Sequence, residues 1–182
     1  PMSIMVGVGR GASLGVLIKN AEALERMEKV DTLIVDKTGT LTEGRPTVTD
    51  IVATGRHSQD DLLRFAAGVE RASEHPLALA IVEAATTRSL DVPDVTDFDS
   101  PVGRGAQGVV AGHRVALGSA TFLDSHGIDS TDVRETADHL RGDGATVIYI
   151  GIDDQLAGLF AIADPIKATT SDALKALRAD GI

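Results

Sequence analysis

The residues with the most chemistry in this sequence are Asp36-Lys37-Thr38-Gly39-Thr40. A carboxylate held by a glycine-containing loop can attack a phosphoryl group and keep it as an acyl phosphate, with loop NH groups and the Thr38 and Thr40 hydroxyls on its oxygens. Asp36 is the candidate nucleophile. Two anions then have to approach each other, which calls for Mg2+ on the carboxylate and on a phosphate oxygen, with Asp36 and Thr38 as candidate ligands. Lys37 lowers the same repulsion. The alternative is a plain turn whose Asp and Thr cap backbone groups. A second constellation is Ser73-Glu74-His75-Pro76-Leu77-Ala78, in which the His75 ring could lie against an adenine while Pro76 sets the backbone direction. Its alternative is a helix cap, with Ser73 as the capping residue and His75 merely exposed. A third is Gly103-Arg104-Gly105-Ala106-Gln107-Gly108, whose glycines permit close backbone approach to a ligand or simply open a hairpin.

Each pattern needs an element to carry it. Asn20–Val30 has helical spacing with alternating charge and is expected to form a short surface helix. Asp31–Val35 is apolar and β-branched, so it is expected to be a buried strand of a parallel sheet, with Asp36 at its carboxyl end, where open α/β sheets place their ligands. Thr47–Ala53 alternates like a strand with one exposed face. Ser58 with Asp60 and Asp61 starts a helix running to about Ala72, and Pro76 opens a second one. Asp91–Pro101 reads as a polar connector. The period then changes to two: Gln107–Ala111 and His113–Leu117 form a hairpin around Gly112. A helix over Thr131–Arg141, strands over Thr146–Ile152 and Leu156–Ile162 joined by Asp153-Asp154, and a last helix from Ile166 to Ala179 complete the chain. Asp164 is either a neighbour of the phosphate site or a cap of that last helix, the cap being preferred. The order is best explained by an inserted domain splitting an α/β host after its first strand.

Composition narrows the function. The chain has 182 residues, 43% hydrophobic and 24% charged, as a folded globular protein has. No cysteine is present, which excludes a thiolate nucleophile or a cysteine metal site within these residues. Seventeen basic against 27 acidic residues give a net charge of -10, and aromatics make up only 3%. Nucleic acid is therefore not an expected partner, because both the phosphate attraction and the stacking platforms are wanting. No stretch reaches the roughly 18 apolar residues of a membrane span. His57, His113, His126 and His139 show no ligand spacing and are expected on solvated surface.

The whole string Asp36-Lys37-Thr38-Gly39-Thr40 is identical to the phosphorylation motif of P-type ATPases, and Ser73-Glu74-His75-Pro76-Leu77 resembles the motif of their heavy-metal-transporting subclass. The resemblance covers essentially the whole chain. It implies an α/β fold: part of a haloacid-dehalogenase-like phosphorylation domain carrying an inserted α+β nucleotide-binding domain, an antiparallel sheet flanked by helices. It further implies residues 1–19 as a segment leaving the membrane domain, 20–46 as the first part of the phosphorylation domain, 47–162 as the nucleotide-binding domain and 163–182 as the return.

In such a chain Asp36 accepts the γ-phosphate of ATP with Mg2+. His75 orients the nucleotide, Glu70 lies near the adenine amino group, and Gly103 and Gly105 match the nucleotide loop. Where the subclass has Gly-Asn after the hairpin this chain has Gly118-Ser119, so Ser119 takes that place with a shorter reach. Related phosphatases carry a second acid two places after the nucleophile. Thr38 stands there instead, so slow hydrolysis and a persistent acyl phosphate are implied. The implied function is the cytoplasmic ATP-binding and phosphorylation region of a cation pump, copper or silver export first, with zinc, cadmium or cobalt pumps and a soluble phosphatase as alternatives. Its partners are then ATP and the rest of the pump, with the transported metal bound elsewhere. The family's remaining magnesium-binding motifs are expected after Ile182, so the 182 residues are expected to bind ATP but to autophosphorylate poorly.

Overall fold

The computed structural model describes residues 2–73, 75–101 and 103–182; Pro1, Glu74 of the His75 motif and Val102 lie outside the described residues. The chain divides into two compact units, Thr42–Ile166 and the residues up to Leu41 with Lys167–Ile182. The second of these holds helices α1 (Met2–Ser13), α2 (Ala21–Met27) and α7 (Thr170–Ala179) and an irregular turn over Lys37–Leu41. Asn20 caps α2, its side chain accepting from Ala23 N at 2.8 Å.

The larger unit is built on six antiparallel strands: β1 (Thr47–Ala53), β2 (Val95–Asp99), β3 (Gly105–Val110), β4 (His113–Gly118), β5 (Thr146–Ile152) and β6 (Gln155–Ala163), in the order β1-β6-β5-β4-β3-β2. Helices α3 (Gln59–Glu70) and α4 (Pro76–Thr87) bury Leu62, Leu63, Ala66, Ile81 and Ala85 against one face. On the other face, α5 (Ala120–Ser125) and α6 (Arg134–Gly142) pack Phe122, Leu123 and Ala137 over Val147, Tyr149 and Leu159. Strands β5 and β6 are covered on both sides, which is why both are apolar at nearly every position rather than at alternate ones. By contrast β3 alternates half-buried and buried residues along its length. Two tight turns fix the register. Ala111 and Gly112, at φ 49 and 84, join β3 to β4, and Asp153 and Asp154, at φ 50 and 62, join β5 to β6. The Asp153 carboxylate also accepts from Arg114 N at 3.0 Å and meets His113 Nδ1 at 2.7 Å, tying that turn to the start of β4. At the head of α3, Ser58 accepts from Asp61 N and Asp61 accepts from Ser58 N, each at 3.1 Å, so two helix-end donors are satisfied reciprocally.

Several expectations fail for identifiable reasons. Asp31–Val35 is not a strand. Among the described residues no neighbouring strand offers it a ladder, and Leu33 and Ile34 stand 51% and 94% exposed. The supposed connector over 91–101 contains β2, an edge strand paired with β3 through Val95↔Val110 and Asp99↔Gln107. Its outer side needs no apolar residue, and Asp97 at φ 52 interrupts its register, so it lacks an alternating pattern. The last helix begins at Thr170, not Ile166, because the preceding residues pair backward. Thr42 and Ile166 form an antiparallel bridge, and Glu43 N donates to Pro165 O at 2.9 Å. Asp164 is accordingly no helix cap: its carboxylate accepts from Thr42 Oγ1 at 2.5 Å and from Arg45 N at 3.1 Å. The Thr131 helix starts as a single 3-10 turn, Thr131–Val133, before α6.

Candidate functional site

One cavity of about 340 Å3 opens at the end of the sheet where β3 begins, β4 ends and β5 begins. The sheet pairing dictates this meeting. Gly105 faces Gly118 across β3 and β4, and Gly118 faces Tyr149 across β4 and β5, so the loop before β3 and the turn after β4 share one rim. The last residue of α3 and the first turn of α4 close the cavity from the helical side. Glu70, His75, Gly103, Gly105 and Ser119, five residues that the sequence separates by up to 49 positions, all line it.

Glu70 ends α3 and is only 8% exposed. Burial pushes its carboxyl up from the usual range, and a hydrogen bond from Ser73 partly offsets this. The Ser73 oxygen also accepts from His75 N at 3.3 Å, so backbone, hydroxyl and carboxyl form a short chain. His75 caps α4, its Nδ1 accepting from Leu77 N at 3.2 Å. An accepting Nδ1 places the proton of the neutral ring on Nε2. His75 itself, and not Ser73, is therefore the cap of α4, and it lines the cavity from that position. Ser119 caps α5 by accepting from Phe122 N at 3.2 Å, with Thr121 Oγ1 2.8 Å away, so its oxygen serves the helix while it lines the cavity.

The two loop glycines answer different needs. Gly103 sits at φ 73, with nothing within 4 Å of where a Cβ would stand. At Gly105 a Cβ would come 2.2 Å from Leu117 O and 2.6 Å from Phe122 Cδ1, so the glycine is required by strand packing. Arg104, between them, also lines the cavity and was not singled out by residue type or spacing.

The Asp36 loop belongs to the smaller unit. Asp36, Lys37, Thr38 and Thr40 are all exposed. Thr38 is extended at φ -75 and ψ 121, and Gly39 at φ 76 turns the chain back. Lys167 Nζ donates to Gly39 O at 2.6 Å, Lys167 N to Leu41 O at 3.0 Å, and Thr170 Oγ1 to the same carbonyl at 2.7 Å. Lys167 and Thr170 therefore hold the loop from a segment 128 residues away, a contact no local spacing reveals. Among the described residues no three His, Asp or Glu side chains gather as a metal site. Two of the histidines expected on solvated surface are engaged instead. His126 has Nε2 2.7 Å from Gln107 Oε1 and Nδ1 2.9 Å from Phe122 O, and His113 meets Asp153.

A family profile described as haloacid dehalogenase-like hydrolase matches residues 30–182. The chain belongs to the haloacid dehalogenase-like hydrolases. Within that family it is similar, over all 182 residues, to a silver exporting P-type ATPase of Salmonella typhimurium at 56% identity and to a copper-transporting P-type ATPase of Rhizobium leguminosarum bv. viciae at 55%. This hydrolase-family chain spans 22% of the length of each of those relatives. Among solved structures, a zinc-transporting PIB-type ATPase in the E2.Pi state matches with a TM-score of 0.89 at 34% identity, covering 98% of this chain and 29% of that one. Among the described residues no helix is long and apolar enough to cross a membrane.

Proposed function

We propose that this chain is the ATP-binding and phosphorylation part of a P-type pump for a heavy-metal cation, copper or silver, on the cytoplasmic face of a membrane. The observation that carries this reading is the convergence of Glu70, His75, Gly103, Gly105 and Ser119 on one cavity. Its size and lining suit the adenosine end of ATP: a concave, mostly apolar space with a few placed polar groups. Glu70 at its base is the acceptor for the adenine amino group, and the His75 ring, held by its own helix-capping bond, lies against the base. Thr42–Ile166 is then the nucleotide-binding domain, and the residues around Asp36 and Lys167 are part of the phosphorylation domain. The identities above 50% to silver and copper pumps, against 34% to a zinc pump, support copper or silver as the ion.

The phosphoryl step belongs to Asp36. Its carboxylate oxygen attacks the γ-phosphorus, the bond from that phosphorus to the bridging oxygen breaks, and ADP leaves with the electron pair. Lys167 keeps the Gly39 carbonyl turned away so that the loop NH groups and the Thr38 and Thr40 hydroxyls face the transferred group. Asp36 and Thr38 are the residues here that would hold Mg2+, which supplies charge neutralisation between the carboxylate and the phosphate. The rest of the pump is the physical partner of this segment.

Calorimetric titration of the 182-residue chain with ATP tests the binding half. ATP is expected to bind, and His75→Ala to lose most of the affinity; a folded chain that binds no ATP refutes the assignment of the cavity. In the intact pump, Asp36→Asn is expected to abolish metal-dependent acyl phosphate. Labelled phosphate that persists on the Asp36→Asn protein removes Asp36 from its role.

A further inference from the structure

The cavity has a charge asymmetry that the adenine-binding residues do not explain. Among the described residues lining it, only Glu70 and Arg104 carry a full charge, and they lie at opposite depths, the carboxyl buried and the guanidinium exposed. Arg104 is the one Lys or Arg among the described lining residues. Six arginines (Arg26, Arg45, Arg71, Arg88, Arg114 and Arg141) are paired with a carboxylate, and Arg104 is among those that are not, in the described residues. No hydrogen bond or ion pair from the Arg104 side chain is seen among the described residues, although the chain carries 27 acidic residues against 17 basic ones. Its backbone, by contrast, is held. Arg104 N donates to Pro101 O at 3.1 Å, Gly103 turns at φ 73, and Gly105 is locked against Leu117. The result is a planar, permanently charged fork at the cavity mouth, suited to a pair of phosphate or carboxylate oxygens on a ligand.

We propose that Arg104 reads the anionic end of the ligand, giving the cavity its preference for a nucleoside polyphosphate over the bare nucleoside. This rests on the nucleotide reading of the same cavity: the base is bound at depth by Glu70 and His75, and the phosphates emerge past Arg104. Selectivity among adenosine, AMP, ADP and ATP is then set at the mouth, whereas selectivity among bases is set inside.

The test compares binding of adenosine, AMP, ADP and ATP to the 182-residue chain, with Arg104→Ala and Arg104→Lys beside it, at low and high salt. The wild-type chain is expected to bind ATP more tightly than adenosine, and Arg104→Ala to weaken ATP about tenfold, the loss of a charge-assisted contact, while adenosine is unchanged. The salt dependence of ATP binding should shrink in the same variant, and Arg104→Lys should recover part of the preference, since it restores the charge but not the fork. A preserved ATP to adenosine ratio in Arg104→Ala overturns the inference and leaves the nucleotide reading intact. So does an equal loss for both ligands, which marks a purely structural role. If the folded wild-type chain binds neither adenosine nor ATP, the nucleotide reading falls and takes this inference with it.

Discussion

Replacing Gly105 by alanine separates two reasons a glycine can stand in a loop that lines a cavity. Ordinary contact distances for an added Cβ begin at 3.4 Å, yet here it would meet Leu117 O at 2.2 Å and Phe122 Cδ1 at 2.6 Å. Relief needs a displacement of more than an ångström, and the nearest obstacle is backbone of the paired strand, which cannot swing aside as the end of a side chain can. Overpacking of this kind costs about 1–3 kcal/mol, and the backbone obstacle puts Gly105→Ala at about 3 kcal/mol. Gly103→Ala meets no atom, so its cost is the left-handed backbone alone, about 1–2 kcal/mol, less about 0.4–1 kcal/mol gained by restricting the unfolded chain. The difference between the variants is therefore about 2 kcal/mol in urea unfolding. In thermal melts, Gly105→Ala should lose about 10 °C in a unit of this size. Nucleotide affinity per folded molecule should then fall less for Gly105→Ala than its stability does. Equal stabilities for the two variants, or a Gly105→Ala protein of wild-type stability that has lost ATP, would refute this reasoning. The added methyl would in that case meet the ligand and not Leu117.

Other perturbations follow from the same geometry. His75→Ala should cost about 1 kcal/mol of stability together with ATP affinity, whereas His75→Asn should restore the helix cap and not the affinity, read by urea unfolding beside calorimetry. Burial raises the Glu70 carboxyl, so its desolvation penalty is absent below the unfolded carboxylate range and grows as pH rises through the folded value. Glu70→Gln should therefore raise the melting temperature at neutral pH, converge on wild type near pH 4, about the unperturbed range, and lose nucleotide; a stability gain that does not change with pH contradicts the burial argument. The Asp153 carboxyl is lowered first by its hydrogen bond with His113, with a further contribution from Arg114 N. Its stabilisation is present above the unfolded value and lost as pH falls through the folded one, so the deficit of Asp153→Asn should narrow below about pH 4 in acid titrations followed by circular dichroism.

What could be read without the structure depended on where each element's information lies. β1 and β5 begin and end where their patterns say, and α3 announces itself through Ser58 and Asp61, because burial and capping are written into consecutive residues. β2 was invisible, since an edge strand with four exposed residues of five has no apolar face to display. α5, six residues long, lies between Gly118 and Gly127 and is too short for a period to emerge. Asp31–Val35 misled in the opposite sense: its apolar composition describes a strand with neighbours on both sides, and none is among the described residues. The cavity residues with a motif, such as His75 and Gly105, could be named in advance. The roles of Arg104 and Lys167 could not, because one depends on a cavity assembled from distant segments and the other on a carbonyl 128 residues away.

The bridge between Thr42 and Ile166, fastened by Asp164 on Thr42 Oγ1 and Arg45 N, brings the two ends of the larger unit side by side. A folded body whose ends touch can be moved as a cassette. It can be dropped into a surface loop of an unrelated protein at little loop-closure cost, or cyclically permuted by joining those ends and opening the Ala111-Gly112 turn without breaking a single strand pairing. The same adjacency explains how such a body could come to interrupt another fold between two consecutive elements: the host needs to leave only a narrow gap where its chain departs and comes back.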